Sequence, residues 1–545
     1  MYTLPLILAG LVHIWNPIGF PSIHADEGTY MLRAMQVLID NTVLPQGAPF
    51  YDHPFFGQIF LAAALGLIGY PDSLHPLADG DVHSIEMIFM VPRVLMGLLA
   101  VVDTFFIYKI AEIRYGRKIA FIAAILFAVM PITWILRRIL LDNLLLPFLL
   151  SSILFALYTG KASQNINDNS ESKARSGQNT KNDNSIVKIA TKKISKKDYV
   201  KIAFSGVFLG LAIFTKIPAF CFIPLVSFLL LSNTNRNFKA LALWFIPVIL
   251  IPAIWPISSA AVDQFGNWFD AIIRQTTERQ NKPLFDSLYT FFQIDPILFV
   301  LGIAGIVYTL FRKDLFILLL AIPYLIFLQL VEFVSVYHLV LLLPVMCIAS
   351  SSMIYSLSNK LTNKIRNMKV QGIFPFAVIS VIAILALWID SALISLDFNS
   401  SYFQLYAVFV QLLHNNGGDN IAEDAQPIVV GRFWTKSLLW GTQYVFDEEY
   451  KFVRDDSKGL GKISRESSSR PVVLLVDNTM KRNIMSDGSD EEMNNIKTLY
   501  YITRPIKLIQ ENKHSFNNSQ YPYSALYDNR GVGEVEVRSN QKYVG

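Results

Sequence analysis

Charge and cysteine are scarce in this sequence. Only 16% of its 545 residues are Asp, Glu, Lys or Arg while 53% are hydrophobic, a balance that excludes a soluble protein of this length and predicts an all-α polytopic membrane protein. The two cysteines, Cys221 and Cys347, both lie in apolar runs, so there is neither a disulfide framework nor a cysteine metal site, and both read as packing residues. No strand leads into a G-x-G-x-x-G turn, which excludes a soluble nucleotide-sugar domain, and the lone GLGK at 459–462 lacks the spacing and the Ser or Thr of a P-loop. A net charge of +5 does not indicate nucleic acid, because the basic residues sit between apolar segments, where orientation in a bilayer accounts for them.

What is present is a series of apolar runs. A spanning helix needs about 20 such residues, and eleven candidates start near residues 2, 87, 118, 140, 201, 217, 240, 296, 314, 336 and 373. The first begins almost at Met1 and is interrupted by Pro5, His13, Asn16 and Pro17. Read as a signal peptide it has no small-residue cleavage site before His24, and a start further upstream is another reading. The apolar stretch 55–69 is interrupted early and is expected to be re-entrant or interfacial. With that choice, Lys109, Arg114, Arg117, Lys118, Arg236, Lys239, Arg312, Lys313, Lys360 and the lysine-rich 160–200 loop fall on one face, the cytoplasmic one.

The expected organisation is a transmembrane domain over 1–396 and a soluble, mixed α/β extracytoplasmic domain over 397–545. The first contains an extracytoplasmic loop with interfacial helices over 27–86. The 160–200 loop, rich in Asn, Ser and Lys, reads as disordered. The strand-like runs PIVVGRF and PVVLLVD mark the soluble domain, and the sequons at Asn399 and Asn517 fit an outside location.

Ionisable residues at the edge of a membrane are functional candidates by default. Asp26 and Glu27, Asp52 and His53, Arg93, Arg137 and Arg138, Asp142, Lys216 and His338 all fall toward the same non-cytoplasmic half. A carboxylate there can accept the proton of an attacking hydroxyl while cations hold a phosphate leaving group. Such a group leaves as a stable anion, so no second, protonated carboxyl is required. Other readings stand beside this one. In HADEGTY, 24–30, Asp26 is also a helix N-cap and Glu27 a first-turn acid, ahead of an amphipathic segment that aligns Tyr30, Ala34 and Leu38. His53 before Pro54 suits a turn, and Arg137 and Arg138 suit interfacial anchors. Asp103 and Glu112 read as packing or cytoplasmic-face residues. A divalent metal held by His24, Asp26, Asp52 and His53 is a further reading, without a two-His helical motif to support it.

Four motifs in order resemble those of the GT-C membrane glycosyltransferases, specifically the protein O-mannosyltransferase and aminoarabinose-transferase-like group. HADEGTY is similar to the Asp-Glu motif after the first span. YDHPFFGQ, 51–58, resembles an HPPLGK-type segment, with Phe55 and Phe56 for Pro and Leu and Gln58 for Lys. RRILLDNLLLPFLL, 137–150, resembles the Arg and Leu-Asp pattern of the fourth span, and GLAIFTKIPAF, 210–220, the GLA-x-x-TK-G-P pattern with Ile217 for Gly. The resemblance covers about the first 220 residues. It implies inverting transfer of a sugar from a polyprenyl-phosphate carrier to a hydroxyl of a protein or lipid on the outer face. By that resemblance Asp26 is the general base, Glu27 its neighbour, and Asp142 assists in the sugar and acceptor pocket; Lys216, His53, Arg93, Arg138 and Tyr51 are candidates for the lipid phosphate and donor. Gln58 in place of Lys departs from how protein mannosyltransferases hold phosphate. The 258–296 loop is too short for an MIR-type insertion, and no WWDYG motif appears. No cofactor is assigned, and the divalent metal stays beside this reading as an alternative. The rival from another class is a transporter or lipid flippase, which predicts an internal repeat and charges at the membrane midplane; neither is seen.

Overall fold

The computed structural model describes residues 1–43, 52–159, 195–277, 282–331, 333–362, 368–416, 426–431, 437–454, 472–477, 497–502 and 535–539. Tyr51, nearly all of the 160–200 loop, Asn517 and GLGK at 459–462 lie outside them. A helix stands at each of the eleven predicted runs. Six of them have the length and apolarity to cross a bilayer: Val82–Tyr115, Leu141–Tyr158, Lys196–Thr215, Phe238–Ala261, Val336–Thr362 and Ile373–Ile394. A seventh crossing forms if Arg117–Val129 and Pro131–Arg137, which meet at a 69° bend, act as one. The other four, Thr3–Ile14, Ile217–Asn233, Pro296–Phe311 and Leu315–Leu330, are shorter. The twelve residues of Thr3–Ile14 rise about 18 Å against a hydrocarbon layer of about 30 Å, and the other three have 16 or 17 residues; by length and composition alone, six of the described helices, or seven with the bent pair joined, reach across unaided. The 55–69 stretch becomes the short helix Phe56–Gly66, at about 16 Å too short to span.

The chain order begins with α1 (Thr3–Ile14), α2 (Ala25–Leu38), α3 (Phe56–Gly66), α4 (Val82–Tyr115), α5 (Arg117–Val129) and α6 (Leu141–Tyr158). Three breaks interrupt the later bundle as 3-10 turns: Pro131–Arg137, Ile217–Phe222 and Val336–Leu342. In the first two a proline at the start removes a backbone donor and redirects the chain. Irregular backbone at membrane depth survives only where protein groups satisfy it. Asn143 does so for the first break, its Nδ2 donating to the carbonyls of Ile135 at 2.8 Å and Arg138 at 2.7 Å. The Tyr324 hydroxyl does so for the third, donating to the His338 carbonyl at 2.7 Å.

Beyond the last long helix, Ser400–Asn416 leads to a five-stranded sheet. Its strands are β1 (Ile428–Gly431), β2 (Lys451–Arg454), β3 (Val472–Asp477), β4 (Lys497–Ile502) and β5 (Val535–Ser539), in the order β2-β1-β3-β5-β4. β1 runs parallel to both β2 and β3, with Val429 opposite Phe452 and Val473; β5 is antiparallel to β3 and β4. Alternation with period two turns Val429, Val473, Leu475 and Val537 into the main apolar core, while Ile428, Val430, Val472, Leu474 and Val476 form a cluster on the other face. The C-terminal region is therefore packed onto the helices. Phe89 on α4 meets the rings of Tyr402, Phe403, Tyr406 and Trp440. Tyr444 donates to Asp40 at 2.8 Å. Gly28 on α2 lies so close to the Ser437 carbonyl that a Cβ would collide with it.

Asn399 corrects one expectation. Rather than an exposed sequon, it is 2% exposed. Its Nδ2 donates to the carbonyls of Ile18 at 2.6 Å and Pro21 at 2.9 Å, and its Oδ1 accepts from the Ile23 amide at 2.9 Å. It stitches the loop ahead of α2 to the end of the last long helix, and its side chain is not available to carry a glycan. Asn399→Ala leaves three backbone groups unpaired and is expected to cost about 2–3 kcal/mol, read as a lowered melting temperature of the purified protein. Expression in a glycosylating host is expected to leave Asn399 unmodified.

Candidate active site

HADEGTY forms the first turn of α2. The N-cap is His24 rather than Asp26: the Asp26 amide donates to His24 Nδ1 at 3.1 Å, and the His24 amide donates to Glu27 Oε1 at 3.0 Å. Capping thus falls to His24 and Glu27. Asp26 stays in the first turn with its side chain 47% exposed, 3.6 Å from the His24 ring.

Glu27 is wholly buried. Arg93 from α4 grips it with two bonds, Nε to Oε2 at 3.0 Å and Nη2 to Oε1 at 2.8 Å, and the Ile139 amide donates to Oε2 at 3.2 Å. Arg138 Nη1 lies 3.8 Å from Oε1. Burial alone raises a carboxyl, but the charges of Arg93 and Arg138 and the hydrogen bonds from Arg93 and His24 together hold Glu27 below the usual range. Arg93 also donates Nη1 to the carbonyls of Pro17 at 3.0 Å and Pro21 at 2.8 Å. Its donors are spent on Glu27 and the loop.

The remaining residues arrive from the helix breaks. Lys216, extended at φ −155° and ψ 127° where its helix ends, places Nζ 2.6 Å from Asp142 Oδ2 at the start of α6, and both side chains are buried. His338 and His53 are near enough to act on the Asp142 charge. Arg138 lies with its guanidinium 5.1 Å from the Trp134 ring and 5.3 Å from that of Tyr337, whose ring meets His24 edge-on at 5.0 Å. Its Nη2 is 3.3 Å from Ser22 Oγ, whereas Nε and Nη1 have no hydrogen-bond acceptor among the described residues. Arg137 turns away and donates to the carbonyls of Trp15 and Asn16. Asp52 binds Arg33 Nη1 at 2.8 Å, with His53 Nε2 at 3.9 Å from its other oxygen.

Tyr30 marks where these groups converge. Burial, then the charges of Asp26, Asp52 and Asp142, push its phenol well above the usual value, so it remains a proton donor amid three carboxylates. The sequence showed Tyr30 only as part of an apolar face; one turn after Asp26, it had no other signal. The pairing of Arg33 with Asp52 was likewise invisible, because the residues that meet are on separate elements. Away from the site, Asp103 is buried on α4 and Glu112 binds Lys109 at 2.9 Å.

Among the described residues, no three of His, Cys, Asp and Glu converge as a metal centre. His24, Asp26, Asp52 and His53 do not fit one: the lone pair on His24 Nδ1 caps α2, and Asp52 is held by the guanidinium of Arg33.

Residues 11–273 match the Alg9-like mannosyltransferase family. No curated protein sequence matches the chain. Among solved structures, ArnT from Cupriavidus metallidurans in the apo state is similar at 10% identity with a TM-score of 0.59, covering 99% of this chain and 96% of that one. The same protein bound to undecaprenyl phosphate gives 12% identity and 0.56 over 99% and 97%. The archaeal oligosaccharyltransferase AglB from Archaeoglobus fulgidus, in complex with an inhibitory peptide and a dolichol-phosphate, gives 12% and 0.51 over 92% and 73%. The fold is thus that of the GT-C glycosyltransferases along nearly the whole chain, as the four motifs implied from its first 220 residues.

Removing the Glu27 charge leaves two buried guanidiniums without their counter-ion, so Glu27→Gln is expected to cost about 3–5 kcal/mol. A carboxylate with a depressed folded-state pKa stabilises fully above the unfolded value of about 4.3 and loses that contribution as pH falls through the folded one. The gap in melting temperature between wild type and Glu27→Gln is expected to stay constant from about pH 5 to 7 and to close only below about pH 4.

Proposed function

We propose that this chain, a membrane glycosyltransferase with a mannosyltransferase-like family match and a GT-C fold, transfers a sugar from a polyprenyl-phosphate carrier to a hydroxyl of a protein or lipid, with Asp26 as the general base. The observation that carries this reading is the unequal commitment of the carboxylates. Glu27 is locked to Arg93, Asp142 to Lys216 and Asp52 to Arg33, whereas Asp26 sits among them with half of its side chain open. It is the one of the four placed to receive a substrate proton.

The acceptor oxygen attacks the anomeric carbon, the bond from that carbon to the phosphate oxygen breaks with its electron pair, and the acceptor proton passes to Asp26. A single displacement of this kind inverts the anomeric centre. The lipid phosphate leaves as an anion held by Lys216, Arg138 and His53, a reading supported by the Nε and Nη1 of Arg138, which have no hydrogen-bond acceptor among the described residues, and by the Lys216 ammonium at the buried Asp142. Tyr51 is proposed with them on motif position alone, and Arg93 as an indirect contributor through Glu27. The protonated Tyr30 and the pair of Asp142 and Lys216 form the wall where a sugar hydroxyl is held. ArnT is bound to undecaprenyl phosphate in one of its structures and AglB is in complex with a dolichol-phosphate, which supports a lipid-phosphate donor here. The positive-inside pattern supports placing Asp26 and residues 397–545 on the extracytoplasmic side, with 1–396 as the transmembrane domain.

The test supplies purified wild type and Asp26→Asn with polyprenyl-phosphate sugars and candidate acceptors and follows release of lipid phosphate. Loss of the base is expected to lower turnover by about 10²–10⁴-fold with melting unchanged. Equal turnover would remove Asp26 from the base role, and solute uptake into proteoliposomes without sugar transfer would replace the enzyme reading by a transporter.

A further inference from the structure

At the far end of the bundle the helices enclose a second polar space. Arg93, beside the candidate site, and Tyr115 are both on α4 and 22 residues apart, about 33 Å at 1.5 Å per residue, close to a full hydrocarbon thickness. Around Tyr115 a cavity of about 380 Å³ is lined by Tyr308, Arg312, Asp314, Ser356 and Lys360 among others. It is built from the ends of Pro296–Phe311 and Leu343–Thr362; the first helix starts after Asp295, which accepts from the Ile132 amide in the break at 131–137, and the second follows the break that carries His338.

The lining is organised around hydroxyls and cations. Tyr308 donates its hydroxyl to Ser356 Oγ at 2.6 Å and accepts from Arg312 Nη1 at 3.1 Å, so a tyrosine fixes the guanidinium at the mouth. Lys360 lies on the same helix face as Ser352, Ser356 and Asn359. Lys118 Nζ sits 5.8 Å from the ring of Tyr355, another lining residue. One carboxylate shares the cavity, Asp314, and it is occupied: Oδ2 accepts from the Tyr115 hydroxyl at 2.8 Å and Oδ1 from the Phe316 amide at 3.2 Å. Among the described residues neither Arg312 nor Lys360 forms an ion pair with a carboxylate.

A cavity between helix ends, at one bilayer thickness from the candidate site, with a guanidinium bonded to Tyr308, an ammonium and serine hydroxyls, suits a phosphate oxyanion at the membrane surface. The geometry points to a binding site for a phosphate monoester or diester group held by Arg312 and Lys360, with Ser352, Ser356 and Asn359 as hydrogen-bonding partners. The helix ends around it are apolar on their lipid-facing sides, with Phe311, Leu357 and Leu361 exposed, so the phosphate of an anionic phospholipid headgroup is the occupant that the surroundings favour. The site is separate from the proposed transfer reaction, and its test does not depend on that reaction.

Full-length protein is reconstituted in phosphatidylcholine nanodiscs containing a minor fraction of phosphatidylglycerol, and retained lipid is read by native mass spectrometry. Preferential retention of phosphatidylglycerol is expected, weakened about tenfold or more in Arg312→Gln/Lys360→Gln but not in Lys239→Gln, a basic residue outside the lining. Melting in pure phosphatidylcholine checks that the double variant folds, and Tyr308→Phe, which only releases the guanidinium, is expected to weaken retention less. Displacement of the lipid by millimolar inorganic phosphate would identify a free phosphate as a sufficient ligand, and failure to displace it would identify the headgroup with its chains. Equal retention of the two lipids, or unchanged phosphatidylglycerol binding in a folded double variant, overturns the proposal.

Discussion

A buried carboxylate cannot stand alone in a membrane protein, and Glu27 is the clearest case here. Taking its charge out of water costs several kcal/mol. The offset comes from the two bonds of Arg93, the amides of His24 and Ile139, and the nearby charge of Arg138. These partners lie on α2, on α4, in the loop ahead of α2 and at the break ahead of α6. One acidic side chain therefore fixes four pieces of chain, and Arg93 extends the joint to the carbonyls of Pro17 and Pro21. Asn399 closes the same loop from the other side. Asp26, the next residue along, inherits a defined position without spending its own charge on the joint.

Broken helices serve the same end. A continuous span buries all its backbone donors in itself and presents side chains only sideways, so it cannot deliver a cation from its tip. The breaks at Pro131–Arg137, Ile217–Phe222 and Val336–Leu342 free the chain to project Arg138, Lys216, Tyr337 and His338 into one region. Each break is tolerated because protein groups satisfy its backbone. Besides Asn143 and Tyr324, Asp295 accepts from the Ile132 amide at 3.3 Å and the Leu298 amide at 2.8 Å, tying a break to the start of the next helix. At the other end of the same helices the chain returns to water through a rim of Arg, Lys, Tyr and Ser, where the phosphate site is proposed. The two ends of the bundle thus differ in chemistry: carboxylates and cations are paired across elements at one, whereas at the other the pairs are local, as between Lys109 and Glu112, and Arg312 and Lys360 have no carboxylate partner among the described residues.

Much of the candidate site was legible in HADEGTY, the 137–150 run and the 210–220 run because ionisable residues are expensive at membrane depth and stand out against an apolar background. What could not be read was how they divide the work. Asp26 and Glu27 are adjacent and chemically alike, and both suited a cap; their roles separate only because α2 turns one toward Arg93 and the other outward. His24 as the true cap, Tyr30 among three carboxylates and Asp52 held by Arg33 all depend on contacts between elements distant in sequence. Asn399 misled for the same reason: a three-residue pattern contains no information about burial.

The sequence by itself determined a helical membrane protein, the positions of its apolar runs, and which few ionisable residues had to find partners, since each of these follows from the cost of placing a side chain in hydrocarbon. Tertiary structure alone decided which carboxylate is consumed by an arginine and which is left open, and that hydroxyls and cations from separate helix ends surround a shared cavity. Those outcomes are set by directions and distances between elements, and no local pattern along the chain encodes them.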